Sequence, residues 1–171
     1  MRLAELIKNV NIIDRINFDS DIEISGLSID SRKIEDGDAF IAIGGFDKDG
    51  HDFATEAARK GAKMVFAQRS LNLPSGMTQV LVPDCRKELP VLSKNFYKNP
   101  TKDILLTGVT GTNGKTTTVF LIDSIFKSSG YKTSFITTVD SFIGNEKLSF
   151  ERTTPEIIDL NRFFNSCLLK M

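Results

Sequence analysis

The chain has 171 residues, enough for one large domain or for one small domain with part of another. Hydrophobic residues make up 40% of it and charged residues 26%, ordinary values for a soluble protein with a core, which excludes wholesale disorder. Basic and acidic residues each number 22, so the formal net charge is zero. Up to Pro100 there are 14 basic and 15 acidic residues, so neither half is basic, and a nucleic-acid partner is not expected.

The sequence gives no sign of a membrane segment or of a cysteine metal site. Its first residues lack the apolar stretch of a signal peptide, and no run approaches the roughly 18 apolar residues that span a bilayer. A cytoplasmic location without membrane contact is therefore expected. Cys85 and Cys167 lack metal-type spacing and are interpreted as reduced thiols.

The first hundred residues alternate strand-like and helix-like patterns, which predicts a small α/β domain over residues 1–100. The predicted strands are Ile22–Ile29, Ala39–Ile43, Lys63–Ala67 and Gln79–Val82. Helical patterns cover Leu3–Ile7, His51–Lys60 and a segment that Asp84 is expected to cap. The turn-like sequence KNPT at residues 98–101 marks the predicted domain boundary.

After residue 100 the pattern restarts, and residues 101–171 read as the beginning of a Rossmann-like P-loop domain. The predicted order is a buried strand Ile104–Val109, a helix Thr116–Ser129, a strand Thr133–Val139 and a hairpin Phe142–Phe150 that turns at residues 144–145. Thr154 is expected to cap a final helix that has Pro155 at its first position.

Residues 108–117, GVTGTNGKTT, lie between a predicted strand and a predicted helix, the context of a phosphate-binding loop. The glycines let backbone N–H groups converge on phosphate oxygens, and the helix N-terminus adds partial positive charge. Lys115 supplies a charge for the phosphates, and the Thr116 hydroxyl is a candidate Mg²⁺ ligand; both are the predicted catalytic residues. The predicted ATP-binding residues are Gly111, Thr112, Asn113, Gly114, Lys115, Thr116 and Thr117.

The spacing of this loop departs from the common form G-x-x-x-x-G-K, which would place a glycine where Val109 stands. A glycine-rich turn that only happens to precede a helix is therefore one alternative. A P-loop kinase or ATPase of another family is a second, and it would need no uridine site in residues 1–100.

The loop sequence TGTNGKT at residues 110–116 resembles the nucleotide loop of the Mur ligases, ATP-dependent enzymes that add amino acids to a UDP-linked muramic acid precursor. The sequences IDSRK at 29–33, GDAFIA at 37–42 and DGHDF at 49–53 resemble the UDP-binding N-terminal domain shared by the third and fourth ligases. Three more sequences narrow the resemblance to the third ligase, the MurE branch, over the fourth, MurF: VPDCRK at 82–87, NFYKNP at 95–100 and RTTPE at 152–156.

This resemblance implies an ATP-dependent amide ligase that adds L-lysine or meso-diaminopimelate to UDP-MurNAc-L-Ala-D-Glu through an acyl phosphate. It implies a cofactor set of ATP and Mg²⁺, and the UDP-MurNAc-dipeptide and an amino acid as partners; a monomer is expected. The implied substrate-binding residues are Ile29, Ser31, Phe46, Asp47, Lys48, Arg152, Thr153 and Thr154. Arg152 stands where some relatives have asparagine, which leaves its own contact open.

Two of these segments also have structural interpretations that need no ligand. Asp30-Ser31-Arg32 fits either a diphosphate grip by Arg32 or an ordinary turn with a solvated salt bridge. Thr153-Thr154-Pro155 alone fits a helix cap. His51, the lone histidine, is expected to start a helix or pack rather than to act as a base.

The resemblance further implies an acidic magnesium ligand, a carbamylated lysine and an amino-acid-binding C-terminal domain, which we expect beyond Met171. The chain alone is therefore expected to be inactive. The remaining alternative is a non-catalytic fragment that binds the UDP-muramoyl nucleotide.

Overall fold

The computed structural model describes residues 1–45 and 48–170. The chain divides into two compact units, residues 1–98 and residues 99–171. Each unit contains helices and its own sheet, so the α/β class expected from the sequence is confirmed.

The first unit is built on a five-stranded sheet in the order β1-β5-β4-β3-β2. Its strands are β1 (Asp14–Ile16), β2 (Leu27–Ser28), β3 (Ala39–Ile41), β4 (Met64–Ala67) and β5 (Thr78–Leu81). Strands β2 to β5 are parallel, and β1 runs antiparallel to β5. The carboxyl ends of the four parallel strands therefore lie at the same edge of the sheet.

The core of the first unit lies around β3 and β4, whose residues are all buried. Such short, continuous apolar runs are typical of strands covered on both faces. The helices α1 (Leu3–Leu6), α2 (Ala54–Arg59) and α3 (Cys85–Phe96) accompany the sheet. Asp84 caps α3 by accepting hydrogen bonds from the N–H groups of residues 86 and 87, as its sequence position predicts.

The strand expected over Ile22–Ile29 is wrong for most of its length, because only β2 lies in the sheet. Residues 22–24 instead bond to the start of the chain: Leu3 N–H donates to Ile22 O at 2.8 Å, and Ile24 N–H donates to Met1 O at 2.7 Å. The alternating apolar pattern was therefore correct about an extended backbone and wrong about its partner.

The second unit contains α4 (Lys115–Ser128), α5 (Ile157–Lys170) and an antiparallel sheet of three strands. The strands are β6 (Ser134–Ile136), β7 (Ser141–Ile143) and β8 (Glu146–Leu148), and the β7–β8 hairpin turns at residues 144–145 as predicted. Phe163 and Cys167 of α5 form a small core with Ile143 of β7. Among the described residues, no helix has the length and apolar character needed to cross a bilayer.

The buried strand expected at Ile104–Val109 is wrong, because these residues have no regular secondary structure. None of the described strands of either sheet pairs with them. Leu105 is 88% exposed and Leu106 is 59% exposed. An apolar run forms a buried strand only where neighbouring strands bond to it and other elements cover it.

The start of the last helix also differs from the expectation. Helix α5 begins at Ile157, and Thr154 and Pro155 lie in the irregular segment before it. Arg152 Nη1 donates to Glu156 Oε1 at 2.6 Å across this segment. The expected cap by Thr154 is therefore wrong.

Candidate functional site

The predicted uridine contacts of the first unit lie at the carboxyl edge of its parallel sheet. Ile29 directly follows β2, and Ser31 begins the 3₁₀ turn Ser31–Lys33. Lys48 lies in the loop that follows β3, the strand next to β2. Crevices at this edge are where open α/β sheets bind their ligands. Ile29 and Ser31 thus follow one strand, and Lys48, further along the sequence, follows the strand beside it.

Backbone contacts join the two described sides of the loop after β3. Gly45 N–H donates to Lys48 O at 3.0 Å, and Gly44 and Asp49 form an antiparallel bridge. The Lys48 side chain is exposed. The predicted contacts Phe46 and Asp47 lie outside the described residues.

Ser31 is nearly buried, at 6% exposed, and its hydroxyl donates to Glu56 Oε2 at 3.1 Å. Lys60 Nζ lies 2.8 Å from the other oxygen, Glu56 Oε1. The hydrogen bond from Lys60, and then the one from Ser31, lower the pKa of Glu56 below its ordinary value. Glu56 was not among the residues predicted from sequence, because it lies 25 positions after Ser31.

Asp30 and Arg32 form a bidentate ion pair in the same turn. Arg32 Nε donates to Asp30 Oδ1 at 2.9 Å and Nη2 donates to Oδ2 at 2.7 Å. The side-chain hydrogen bond from Arg32 is the largest cause that lowers the pKa of Asp30, to about 2. The Arg32 side chain is 80% exposed, so this ion pair is in contact with solvent. In this conformation the segment forms the turn with a solvated salt bridge, which is the interpretation that needs no ligand.

A second network ties the turn after β3 to the end of β4. His51 Nδ1 lies 2.5 Å from Asp49 Oδ1, and Gln68 N–H donates to His51 Nε2 at 3.0 Å. Arg69 Nη2 donates to Asp49 Oδ2 at 3.0 Å. The hydrogen bond from His51 is the largest cause that lowers the pKa of Asp49, to about 2. His51 is the second residue of the 3₁₀ segment Gly50–Phe53 and is buried.

The predicted ATP loop of the second unit leads into α4 with backbone angles that favour glycine. Gly111 has φ +147° and Gly114 has φ +79°. Thr118 N–H makes the first bond of α4, to Gly114 O at 2.9 Å. The preceding N–H groups, those of residues 115–117, have no carbonyl partner within the helix, which suits them to an anionic ligand.

The Lys115 side chain folds back over this loop. Its Nζ donates to Gly111 O at 2.6 Å and to Thr112 O at 3.3 Å. The ammonium group is thus held beside the loop by backbone carbonyls, in a position where phosphate oxygens can replace them as partners. The exposed loop, the lysine and the N-terminus of a 14-residue helix together suit a polyphosphate chain.

The fit for Mg²⁺ depends on the nucleotide as well as on the protein. Thr116 is half-buried in the first turn of α4, where its hydroxyl is a candidate ligand. Within the described part of the chain, no group of three or more His, Cys, Asp or Glu residues could hold a metal ion. Magnesium is commonly held by few protein ligands together with substrate phosphates, and that is the arrangement these residues suit.

The third predicted group, Arg152 with Thr153 and Thr154, lies just before α5. Thr153 and Thr154 are exposed, and Arg152 is engaged with Glu156. Their predicted contact with the muramoyl peptide stays a prediction.

The parallel sheet and the predicted phosphate loop described above are typical of a family of ATP-dependent amide ligases. The chain is a member of that family, the Mur ligase family. The family described as "Mur ligase family, catalytic domain" matches residues 23–102, and "Mur ligase middle domain" matches residues 109–170. The family expected from the loop sequence is thereby confirmed.

Within the family, the chain is similar to proteins named UDP-N-acetylmuramoyl-L-alanyl-D-glutamate--2,6-diaminopimelate ligase. It is 39% identical to the one of Clostridium perfringens over 97% of this chain, and 41% identical to the one of Syntrophomonas wolfei over 98% of it. It spans about a third of the length of these relatives, 34% in each case. This is the MurE branch, so that expectation is also confirmed.

A solved structure carrying the same enzyme name has a TM-score of 0.72 with this chain at 22% identity. The match covers 99% of this chain and 34% of that one. The similarity confirms the fold.

Proposed function

We propose that this chain supplies the uridine-nucleotide site and the ATP-phosphate site of an amide ligase that adds meso-diaminopimelate to UDP-MurNAc-L-Ala-D-Glu. The observation that carries the proposal is the Lys115 ammonium, held 2.6 Å from Gly111 O at the entrance to α4. The names of the similar proteins support diaminopimelate over lysine as the added amino acid.

The second unit provides charge neutralisation and positioning. Mg-ATP supplies the phosphoryl group that activates the substrate carboxylate toward an amine. Lys115 and the N–H groups at the start of α4 hold the phosphates and offset their charge, and the Thr116 hydroxyl is the proposed Mg²⁺ ligand. The other proposed ATP-binding residues of the loop are Gly111, Thr112, Asn113, Gly114 and Thr117.

The first unit provides recognition of the nucleotide. Ile29, Ser31 and Lys48 lie at the carboxyl edge of adjacent parallel strands, where an apolar side chain, a hydroxyl and an ammonium suit a base, its polar groups and a diphosphate. We assign the muramoyl peptide to Thr153 and Thr154. Arg152 would have to exchange Glu156 for the ligand to take part. The monomeric state and the cytoplasmic location stay predictions.

A second candidate function is uridine-nucleotide binding without catalysis. It is favoured by the segment Ile104–Val109, which leads into the phosphate loop without pairing to any strand in the described part of the chain. A loop held less firmly on one side loses preorganisation and therefore affinity for ATP.

Calorimetric titrations of the chain with UDP-MurNAc-L-Ala-D-Glu and, separately, with Mg-ATP test both candidates. We expect Lys115→Ala to weaken Mg-ATP binding about tenfold or more and to leave binding of the UDP precursor unchanged. Ser31→Ala should weaken binding of the UDP precursor and leave Mg-ATP binding unchanged. Lys102→Ala, another exposed lysine of the second unit, is the control and should change neither affinity. Binding of the UDP precursor alone would favour the second candidate, and binding of neither ligand would overturn both.

A further inference from the structure

Ser31 is held by a partner that fixes the direction of its hydrogen bond. The Ser31 hydroxyl donates to Glu56 Oε2 at 3.1 Å. A carboxylate has no proton to give, so the hydroxyl must be the donor in this pair. The lowered pKa of Glu56 keeps it ionised throughout the neutral range.

A serine whose proton is already committed has only lone pairs left for a ligand. A hydroxyl carries one donor and two acceptor sites, and in water it rotates to suit either kind of partner. With Glu56 fixed in place, Ser31 can accept a hydrogen bond from a ligand but cannot donate one without breaking the existing bond.

Because Ser31 is buried, a ligand that places an acceptor against its hydroxyl oxygen would lose binding free energy. Ser31 is only 6% exposed, so water has little room to satisfy a mismatched pair. A buried acceptor that faces another acceptor costs more free energy than a matched pair contributes. Sites built for a ligand donor reject ligands that lack it for this reason.

Glu56 is itself held in position from its other side. Lys60 lies one helical turn further along and contacts Glu56 Oε1 at 2.8 Å, while Ser31 contacts Oε2. The carboxylate of Glu56, a residue of α2, thus lies between Ser31 at the sheet edge and Lys60, which directly follows α2.

We propose that Glu56 determines the specificity of the nucleotide site by keeping Ser31 as a hydrogen-bond acceptor, which selects a nucleotide that presents a donor at this point. Uracil presents such a donor at its imide N3–H, whereas N3 of cytosine is an acceptor. The 2′-hydroxyl of the ribose is a second donor that the nucleotide offers. Glu56 is therefore a positioning residue that acts through Ser31. The proposal rests on the proposed uridine site of the first unit.

The test compares ratios of affinities, because a general weakening of the site leaves ratios unchanged. Dissociation constants for UDP, CDP and 2′-deoxy-UDP are measured calorimetrically with the wild-type chain, Glu56→Ala and Glu56→Gln. In Glu56→Ala the Ser31 hydroxyl is released and can donate to N3 of cytosine, so the preference for UDP over CDP should fall about tenfold. Glu56→Gln retains an acceptor oxygen and should retain most of the preference.

The three nucleotides separate the two donor groups. A fall in the preference for UDP over CDP assigns the donor to the imide, and a fall in the preference for UDP over 2′-deoxy-UDP assigns it to the ribose. Lys60→Met is the control, because it removes the other partner of Glu56 and leaves the bond from Ser31 in place. Both affinity ratios of this variant should equal those of the wild type. Glu56 is 43% exposed in its side chain, so the variants should fold, which circular dichroism checks.

Two results would overturn the proposal, and they can be told apart. If Glu56→Ala folds and both ratios equal those of the wild type, Glu56 does not set the polarity of Ser31 and the proposal is overturned. If the wild-type chain binds no uridine nucleotide, the proposed function of the first unit fails first, and the inference fails with it. A Ser31→Ala, Glu56→Ala double variant with the ratios of either single variant would add support, since both residues then act through one contact.

Discussion

His51 and Gln68 lie 17 positions apart in the chain, and the backbone N–H of Gln68 donates to His51 Nε2 at 3.0 Å. Because Nε2 accepts this bond, Nδ1 carries the proton that His51 donates to Asp49. The imidazole thereby joins the end of β4 to the turn that follows β3. The turn contains Lys48, one of the proposed nucleotide contacts.

Replacing His51 should therefore loosen the turn as well as destabilise the fold. We expect His51→Ala to cost about 1–3 kcal/mol of unfolding free energy, because it leaves buried polar groups without their partner. His51→Asn keeps a donor near Nδ1 and His51→Gln an acceptor near Nε2, so each should recover part of the loss. Urea unfolding measures the stabilities. A His51→Ala chain as stable as the wild type would show that the network does not hold the turn.

Acid should destabilise the first unit through Asp30 and Asp49. The pKa of each is lowered to about 2 in the folded protein, below the ordinary value of 3.8. Their contribution to stability is therefore complete above about pH 4 and is lost as the pH falls toward 2. The urea midpoint of the wild type should fall steeply over this range, and that of an Asp30→Asn, Asp49→Asn variant should fall less. Parallel curves would contradict the assignment.

The phosphate loop should depend on the backbone conformation of Gly114 rather than on space around it. Gly114 has φ +79°, and a Cβ there would meet nothing within 4 Å. Gly114→Ala should therefore cost about 1–2 kcal/mol from the left-handed backbone alone and weaken Mg-ATP binding. Gly108→Ala is the matched control, because its position is equally open and needs no positive φ. Equal effects of the two changes on thermal stability and on ATP affinity would refute this.

Exposed apolar residues of the second unit should contribute little to the stability of this chain. Leu105 is 88% exposed and Leu121 is 60% exposed, whereas Leu92 of α3 is fully buried. Leu105→Gln and Leu121→Gln should change the unfolding free energy by less than about 0.5 kcal/mol. Leu92→Ala should cost about 2–5 kcal/mol, because it removes buried methyl groups and leaves a cavity. A large loss in either glutamine variant would show that these leucines are covered in solution.

Much of the first unit could be predicted from local sequence. The runs that form β3 and β4 are short and apolar, and Asp84 stands where a helix cap is expected. Such signals involve residues only a few positions apart, so they can be recognised without knowledge of the fold. The phosphate loop stays a prediction, and it rests on the same kind of local signal, since its glycines, lysine and threonines all lie within residues 108–117.

Features that depend on distant partners could not be predicted. Ile104–Val109 has the composition of a buried strand, but composition does not supply neighbouring strands. The bond between Ser31 and Glu56 joins positions 25 residues apart, and the one between His51 and Gln68 joins positions 17 apart. Nothing in the sequence around Glu56 indicates that it faces Ser31.

The central claim, that the loop before α4 holds the phosphates of ATP, is tested most directly by amide resonances. In ¹H–¹⁵N spectra of the labelled chain, Mg-ATP should shift the N–H signals of Gly114, Lys115 and Thr116 most strongly and leave those of β3 and β4 unchanged. Addition of Mg-ATP in excess without any shift at these three amides would contradict the account.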